Sequence, residues 1–272
     1  KSDGHMFRGN PRSSRTSIRT QPVSSAAMDD AEPLVPLIVK LGGSAITDKD
    51  QLHSLKPLIL DRIASHIHQA LHSTSPPRPL ILVHGAGSFG HAECRRYNVA
   101  HGGCTPPQLA AARAVVQRLN LHVISALTAH DIPALALPGL PLWQTSDRDT
   151  ITRAPLAEIE HMLRGGYVPV LHGDVVWDDV RGCTVLSGDA MVAHLAKAFS
   201  ARRVVFLSDV PGVFDRPPGE EGATLMRRID VGAKGEMAGE VVTTTRASDV
   251  TGGIRAKMEA CMGIVESGGA AE

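Results

Sequence analysis

The sequence has few aromatic residues, no net charge and no long apolar run. Five Phe, two Trp and two Tyr among 272 residues leave the core to aliphatic side chains and provide few surfaces on which nucleic-acid bases could stack. The 28 Lys and Arg are balanced by 28 Asp and Glu, so the basic excess of a nucleic-acid-binding protein is missing. No apolar run approaches the ~20 residues of a membrane-spanning helix. We therefore expect neither a nucleic acid nor a membrane as a partner.

Cysteine is also scarce and irregularly spaced. The four residues are Cys94, Cys104, Cys183 and Cys261. They are too few for a disulfide scaffold, and no C-x-x-C pair indicates a zinc knuckle. We expect a reducing compartment, with the cytoplasm as the first choice.

The first 33 residues differ in composition from the rest of the chain. They are rich in Ser, Arg, Thr and Pro, which predicts a disordered leader or a tag over residues 1–33. Residues 6–27 contain four Arg and no acid, which is typical of a transit peptide and would imply an organelle. Gly4-His5-Met6 instead resembles a cloning remnant, so both interpretations stay open.

After Pro36, short apolar runs alternate with longer segments of helical periodicity. Near-continuous apolar runs are typical of strands buried on both faces of a parallel sheet. The predicted strands are Leu37–Leu41, Leu80–His84, Ile132–Leu137, Val168–His172 and Val204–Ser208. Helical periodicity predicts helices over 58–71 and 109–127, a third between Pro155 and Gly165, and a fourth from Ser187 to Phe199. The alternation predicts an α/β fold, an open αβα sandwich with a mainly parallel central sheet.

Two glycine-rich segments follow predicted strands, where open α/β sheets bind ligands. The first is Lys40-Leu41-Gly42-Gly43-Ser44, in which adjacent glycines let backbone N–H groups approach an anion while Lys40 supplies charge. A plain tight turn explains the glycine pair equally well. The second is Gly85-Ala86-Gly87-Ser88-Phe89-Gly90-His91, a G-x-G-x-x-G pattern between a strand and a helix.

This second pattern is also the formal fingerprint of a dinucleotide-binding oxidoreductase. That fingerprint requires an acidic residue about 20 positions later for the ribose hydroxyl groups. No acid occurs between Glu93 and Asp131, so a general anion-binding loop is favoured over the dehydrogenase.

A third glycine pair, Gly252-Gly253, precedes Lys257 at the start of the last helical pattern. A helix N-terminus with a nearby lysine favours an anion, although a capped helix with a solvated lysine has the same appearance. The P-loop pattern G-x-x-x-x-G-K-[ST] is absent, which excludes an ordinary P-loop nucleotidase.

Three aspartates complete the candidate constellation. Asp174, Asp189 and Asp209 stand at strand ends or beside glycines, where each alone is typical of a turn or a cap. Together with the glycine loops and lysines they indicate a nucleotide phosphate site.

The order of these motifs resembles the amino acid kinase superfamily, and within it the isopentenyl phosphate kinase family. The resemblance rests on the segments Lys40–Ser44, Thr47–Lys49, Gly85–His91, Val168–Asp174, Leu186–Asp189, Phe206–Phe214 and Thr251–Lys257. It implies the amino acid kinase fold over residues 34–272, usually as a homodimer. It also implies transfer of a phosphoryl group from ATP, with Mg²⁺, to isopentenyl phosphate.

The resemblance also implies a role for each matching residue. ATP phosphates would contact Lys40, the backbone of Gly42, Gly43 and Ser44, Gly87 and Lys257. Asp209 would lie beside the adenosine, and no residue is assigned as a metal ligand. Lys49 would stabilise the migrating phosphoryl group and Asp174 would orient the lysines. His91 would hold the acceptor phosphate with the backbone at Ala86 and Gly173.

Two alternatives to this function stay open at the sequence level. One is another enzyme of the superfamily that acts on a different small phosphate or phosphonate, and the other is a non-catalytic nucleotide-binding regulator. The family also continues with further strands after the last helix, whereas this sequence stops at Glu272 and looks compressed over residues 219–251. We therefore consider both a domain that lacks its C-terminal strands and a sequence that is part of a longer chain.

Overall fold

A five-stranded parallel sheet lies at the centre of the computed structural model. The structure describes residues 32–48, 50–216, 220–230 and 253–266, together with 268, 270 and 271. The strands are Leu37–Leu41 (β1), Leu80–His84 (β2), Ala134–Ala136 (β3), Gln144–Ser146 (β4), Thr150–Arg153 (β5), Val168–His172 (β6), Asp174–Asp178 (β7), Gly182–Leu186 (β8), Val204–Leu207 (β9), Val213–Phe214 (β10) and Leu225–Met226 (β11). The helices are Gly43–Ile46 (α1), Pro57–His72 (α2), Gly87–Arg96 (α3), Pro106–Ala129 (α4), Leu156–Arg164 (α5), Gly188–Ala198 (α6) and Gly253–Glu266 (α7).

The order of the central sheet is β3-β6-β2-β1-β9, and every neighbouring pair is parallel. All five predicted strands are found in it, so the predicted α/β class and parallel sheet are confirmed. β3 is shorter than predicted because Ile132 and Leu137 lie outside the pairing with β6. Ser208 likewise lies beyond the end of β9.

Side chains of the central strands alternate between two helical layers. Ile38 and Val83 pack against buried residues of α5, α6 and α7, such as Ile264. Val39 and Leu82 pack on the opposite face, against α2 and α4. Helices cover both faces of the sheet, so the strands are continuous apolar runs in the sequence. This arrangement is the predicted αβα sandwich.

Local sequence signals explain where the flanking helices begin. The Ser187 side chain accepts a hydrogen bond from Ala190 N at the start of α6, as the sequence predicts. Thr105 and Gln108 form a capping box at the start of α4. These caps satisfy backbone N–H groups that have no partner inside the helix.

A second, four-stranded sheet was not predicted from the sequence. Its order is β5-β4-β7-β8, with β7 and β8 joined as an antiparallel hairpin. β7 begins two residues after the central strand β6 ends, so only Gly173 separates the two sheets. The hairpin packs on α3 and α4 through a small core that includes Cys94, Val175 and Cys183.

Several sequence predictions fall outside the described residues. They concern the leader over 1–33, apart from its last two positions, the compressed segment for most of its length, Lys49 and Gly252. The last helix does begin at Gly253, as predicted. None of the helices in the described part of the chain is long and apolar enough to cross a membrane.

Candidate active site

The candidate site lies along one edge of the central sheet. Parallel strands present their carboxyl ends at the same edge, so the loops after β1, β2, β6 and β9 come together there. These loops contain the first two glycine-rich segments and Asp209, and the loop after β6 leads directly to Asp174. The sequence motifs are therefore neighbours in space.

Two glycine loops pack against each other through their backbones. A methyl group on Gly43 would lie 2.5 Å from the Gly87 nitrogen, and one on Gly85 would lie 2.7 Å from the Gly43 nitrogen. Gly87 also has a φ of 51°, a conformation that favours glycine. The loops after β1 and β2 thus form one unit whose close approach requires glycine.

The variant Gly43→Ala is expected to lose roughly 1–3 kcal/mol of stability, because its new methyl group meets backbone atoms that cannot rotate away. Urea denaturation monitored by circular dichroism measures the loss. Gly263→Ala is the matched control, because a methyl group there meets nothing within 4 Å and Gly263 lies within α7. The control should be at least as stable as the parent chain. Equal stability of both variants would contradict the close packing of the two loops.

Hydrogen bonds hold helix α1 between the loops. The Thr47 hydroxyl donates to Gly43 O at 2.8 Å and accepts from Ser88 N at 3.0 Å. On the other side, the Ser44 hydroxyl donates to Asp209 Oδ1 at 2.8 Å. Thr47 therefore ties α1 to α3, and Ser44 ties it to the loop after β9, as expected if Ser44 and Asp209 belong to one site.

One carboxylate lies between two lysines. Lys40 Nζ is 2.6 Å from Asp189 Oδ1, and Lys257 Nζ is 3.9 Å from Asp189 Oδ2. Lys40 comes from β1, Asp189 from the first turn of α6 and Lys257 from α7, all on the same side of the sheet. The structure thus brings the two predicted lysines together through Asp189, whose sequence pattern alone is also typical of a turn or a cap.

The charge on Lys40 depends on that carboxylate. Lys40 is only 3% exposed, and burial lowers the pKa of its ammonium group. The negative charge and hydrogen bond of Asp189 oppose this effect, whereas the positive charge of Lys257 adds to it. Asp189 therefore favours the charged form of a buried lysine at the edge of the sheet where an anion would bind.

The expected role of Asp174 as the acid that orients the lysines is corrected by this geometry. Asp174 Oδ2 accepts from Gly139 N at 3.1 Å and lies 3.6 Å from Arg113 Nε. It is the first residue of β7, on the α4 side of the site, whereas the lysines meet on the α6 side. Burial raises the Asp174 pKa to about 6, with Arg113 opposing the shift.

The predicted acceptor-side residues cluster at the junction of β2 with α3. Ala86 immediately precedes α3, and His91 lies half-buried one turn after Gly87, the first residue of α3. Gly173 follows the neighbouring strand β6, and its N–H donates to His84 O at 3.0 Å. Because that amide already has a partner, Gly173 can border the site without donating to a ligand.

Two buried histidines, which carry no motif of their own in the sequence, end the strands β2 and β6. The rings of His84 and His172 stack with their centroids 5.3 Å apart, at aligned positions of the sheet. Burial lowers the pKa of each to about 4. The only sequence signal for them is that both stand before a glycine at a strand end.

Acidification from pH 7 to pH 4.5 is expected to destabilise the protein by roughly 3 kcal/mol through these groups. In the unfolded chain both histidines become protonated below the ordinary pKa of 6.5, whereas native His84 and His172 stay neutral down to about pH 4. Between these two values, acidification therefore stabilises the unfolded state. Asp174 partly offsets the loss, because its native pKa of about 6 exceeds the ordinary 3.8. Urea midpoints at both pH values test this. The variant His84→Gln should show a smaller decrease, and an equal decrease would contradict the assignment.

No group of three or more His, Cys, Asp or Glu side chains that could hold a metal ion occurs within the described residues. Mg²⁺ commonly binds through one or two carboxylates together with the oxygens of a phosphorylated substrate and water.

The fold and these loops place the protein in a known class. The chain belongs to the amino acid kinase family, whose model matches residues 36–271. The match covers the central sheet, both lysines and all three glycine segments.

Within that family the chain groups with the isopentenyl phosphate kinases. It is 36% identical to the enzyme of Arabidopsis thaliana over 83% of this chain and 82% of the relative. It is also 36% identical to the enzyme of Methanothermobacter thermautotrophicus, over 85% and 88% of the two chains. An X-ray structure of isopentenyl phosphate kinase superposes with a TM-score of 0.70 at 31% identity, covering 87% of this chain and 89% of that one.

Proposed function

We infer that this protein transfers the γ-phosphoryl group of ATP to isopentenyl phosphate. An oxygen of the acceptor phosphate attacks the γ-phosphorus, the bond to ADP breaks, and isopentenyl diphosphate is formed. The observation that carries the inference is the Lys40–Asp189–Lys257 group beside two glycine loops, in a chain whose relatives of similar length are isopentenyl phosphate kinases.

The chemistry of this acceptor fits the side chains present. A phosphate monoester has a second pKa of about 6, so it is already mostly deprotonated near neutral pH and needs no strong general base. Its difficulty is that two anions must approach each other. Cations and N–H donors address that difficulty, and phosphoryl transfer depends mainly on positioning and charge stabilisation.

On the nucleotide side, Lys40 and Lys257 contact the ATP phosphates from opposite directions. The backbone of Gly43 and Ser44, at the start of α1, and Gly87 provide the close approach. The Gly42 N–H donates to Leu207 O at 2.7 Å, so it is not available to a phosphate. Gly42 therefore contributes to ATP binding through the conformation of the loop. Asp209 lies by the adenosine, and Mg²⁺ arrives as the counter-ion of ATP.

On the acceptor side, His91 and the Ala86 amide bind the phosphate of the second substrate. The support is their place at the β2–α3 junction, where a helix N-terminus favours an anion. Gly173 borders the same site from the next strand.

Lys49 is proposed to stabilise the phosphoryl group as it migrates, and this role rests on the motif resemblance alone. If the ammonium acts only as charge redistributes, Lys49→Ala should lower kcat by about 10²-fold while ATP affinity changes little. Steady-state kinetics and ATP titration separate the two effects. Unchanged turnover with a raised KM would contradict a transition-state role.

Two further proposals concern assembly and location. The family resemblance supports a homodimer, which light scattering of the purified chain tests. The low cysteine content supports a reducing compartment, the cytoplasm first, with an organelle if residues 6–27 target the protein. Fluorescent fusions with and without residues 1–33 distinguish these locations.

An ADP-release assay with four acceptors tests the function. Isopentenyl phosphate, dimethylallyl phosphate, a longer prenyl phosphate and a polar phosphate of similar size are compared at equal concentrations of Mg²⁺ and ATP. The two five-carbon acceptors should differ by no more than roughly 1–3 kcal/mol in transition-state binding, because their tails offer only apolar contacts. The polar phosphate should react far more slowly.

Preference for the polar phosphate would move the protein to another branch of the superfamily. Tight ATP binding without transfer to any acceptor would instead indicate a regulator. Either result overturns the proposed function.

A further inference from the structure

The two loops proposed to meet the acceptor phosphate begin with the same dipeptide, histidine followed by glycine. His84 Nδ1 is 3.0 Å from the carbonyl oxygen of Gly85, and His172 Nδ1 is 3.1 Å from that of Gly173. Both rings are buried, at 0% and 1% exposure. Each ring therefore turns back onto the peptide that follows it.

These contacts determine which ring nitrogen carries the proton. A carbonyl oxygen only accepts hydrogen bonds, so each bond requires a proton on Nδ1. The lowered pKa values of both rings leave one proton per ring at neutral pH, and Nε2 is then a bare acceptor.

Asn120 faces Nε2 of His84. Its carboxamide oxygen stands 3.1 Å from that nitrogen, and the same amide turned by 180° presents its NH₂ group, the orientation that a bare Nε2 requires. Asn120 is 6% exposed and lies on the sheet-facing side of α4. The turned orientation of this buried amide is the one that fits the Nδ1–H tautomer.

The tautomer has a consequence for the next amide along each chain. In a trans peptide the C=O and the N–H point in opposite directions. The hydrogen bond from His84 turns the Gly85 carbonyl toward the imidazole ring, so the Ala86 N–H of the same peptide must point away from the ring. His172 constrains the Asp174 N–H in the same manner through the Gly173 carbonyl. The bond from Gly173 N to His84 O joins the two loops into one unit.

We propose that His84 and His172 are positioning residues that fix the backbone of the β2–α3 and β6–β7 loops, so that the Ala86 N–H is directed at the acceptor phosphate. The proposal rests on the proposed function and extends it to residues that contact neither ATP nor the acceptor. It assigns a use to buried polar groups that would otherwise only cost stability.

Replacing His84 by Asn or by Gln distinguishes the roles of its two ring nitrogens. In His84→Asn the side-chain NH₂ takes the place of Nδ1 and still donates to Gly85 O. In His84→Gln the amide reaches the place of Nε2 and leaves Gly85 O without its donor. His66 is exposed on α2, so His66→Asn and His66→Gln are matched controls.

We expect His84→Gln to lower kcat/KM for isopentenyl phosphate by about 10²-fold, mainly through KM, because a misdirected amide weakens acceptor binding. His84→Asn should retain activity within about tenfold of the parent chain. The KM for ATP should not change, and both controls should match the parent. Thermal melts of all variants exclude global unfolding. Equal losses in the Asn and Gln variants, or an unchanged KM for the acceptor, would overturn the proposal.

The tautomer itself is measured without any substrate. In the ¹⁵N-histidine-labelled protein, long-range ¹H–¹⁵N spectra should show a neutral Nδ1–H ring for His84, assigned from the signal that disappears in His84→Asn. A ring protonated at Nε2 would overturn the proposal even if the enzyme turns over isopentenyl phosphate. If isopentenyl phosphate is not turned over but the Nδ1–H signal is present, the proposed function fails while the ring geometry stands.

Discussion

Replacing Asp189 by Asn is expected to lower kcat/KM for ATP by about 10³-fold, the largest loss predicted for any single variant of this protein. The substitution preserves shape but removes the negative charge 2.6 Å from Lys40 Nζ. Burial and the neighbouring Lys257 then both disfavour the Lys40 ammonium. The nucleotide side of the site then loses the positive charge of Lys40, which would stabilise the negative charge that develops on the phosphates during transfer.

The pH dependence of the variant identifies this cause. If Lys40 deprotonates in Asp189→Asn, part of the lost activity should return as the pH is lowered, whereas a misfolded site would not recover. Breaking a buried ion pair can also cost about 3–5 kcal/mol, so unfolding curves must accompany the kinetics. Asp61→Asn removes the exposed partner of His130 and serves as the control with little expected effect. A variant that stays folded and retains normal kinetics would contradict the role of Asp189.

The central sheet was predictable because its physical signature is local. Strands covered on both faces, such as Leu80–His84, need uninterrupted apolar residues, and the start of α6 needs a residue like Ser187 that can accept a backbone hydrogen bond. Both requirements act within a few residues of chain. The sequence alone therefore predicts these elements close to their observed bounds.

The four-stranded second sheet was missed because its strands have no comparable signature. β4 and β5 are three and four residues long, and β5 is mostly exposed, with polar Thr and Arg residues. Strand β7 begins with the buried acid Asp174, which contacts Arg113 of α4. Such strands are stabilised by pairing with distant segments, and short polar runs do not predict that pairing.

Within the site, the sequence likewise does not identify which aspartate orients the lysines. Asp174 and Asp189 both follow a glycine at the end of a strand, so their local patterns hardly differ. What separates them is the face of the sheet to which each side chain belongs. Lys40 shares a face with Ile38 and α6, so it meets Asp189 across 149 positions of sequence. Spacing along the chain carries no information about that contact.

His91→Ala is expected to raise KM for isopentenyl phosphate and to lower kcat/KM by roughly 10²-fold or more. His91 lies on α3 one turn after Gly87, so an imidazole donor and the start of a helix face the same region. A bound dianion should also raise the pKa of this histidine in the complex, because an opposite charge favours the protonated ring. Removing the ring removes both the donor and that charge.

His91→Gln distinguishes donation from charge. It retains an N–H donor without a titratable group, so it should recover part of the activity lost in His91→Ala and lose the dependence of acceptor KM on pH near neutrality. ATP binding, measured by calorimetry without acceptor, should remain near that of the parent chain in both variants. If His91→Ala instead abolishes ATP binding and spares acceptor affinity, the two halves of the site are reversed. The Ala86 amide and both histidine–glycine loops would then face the nucleotide, and the Lys40–Asp189–Lys257 group would face the acceptor phosphate.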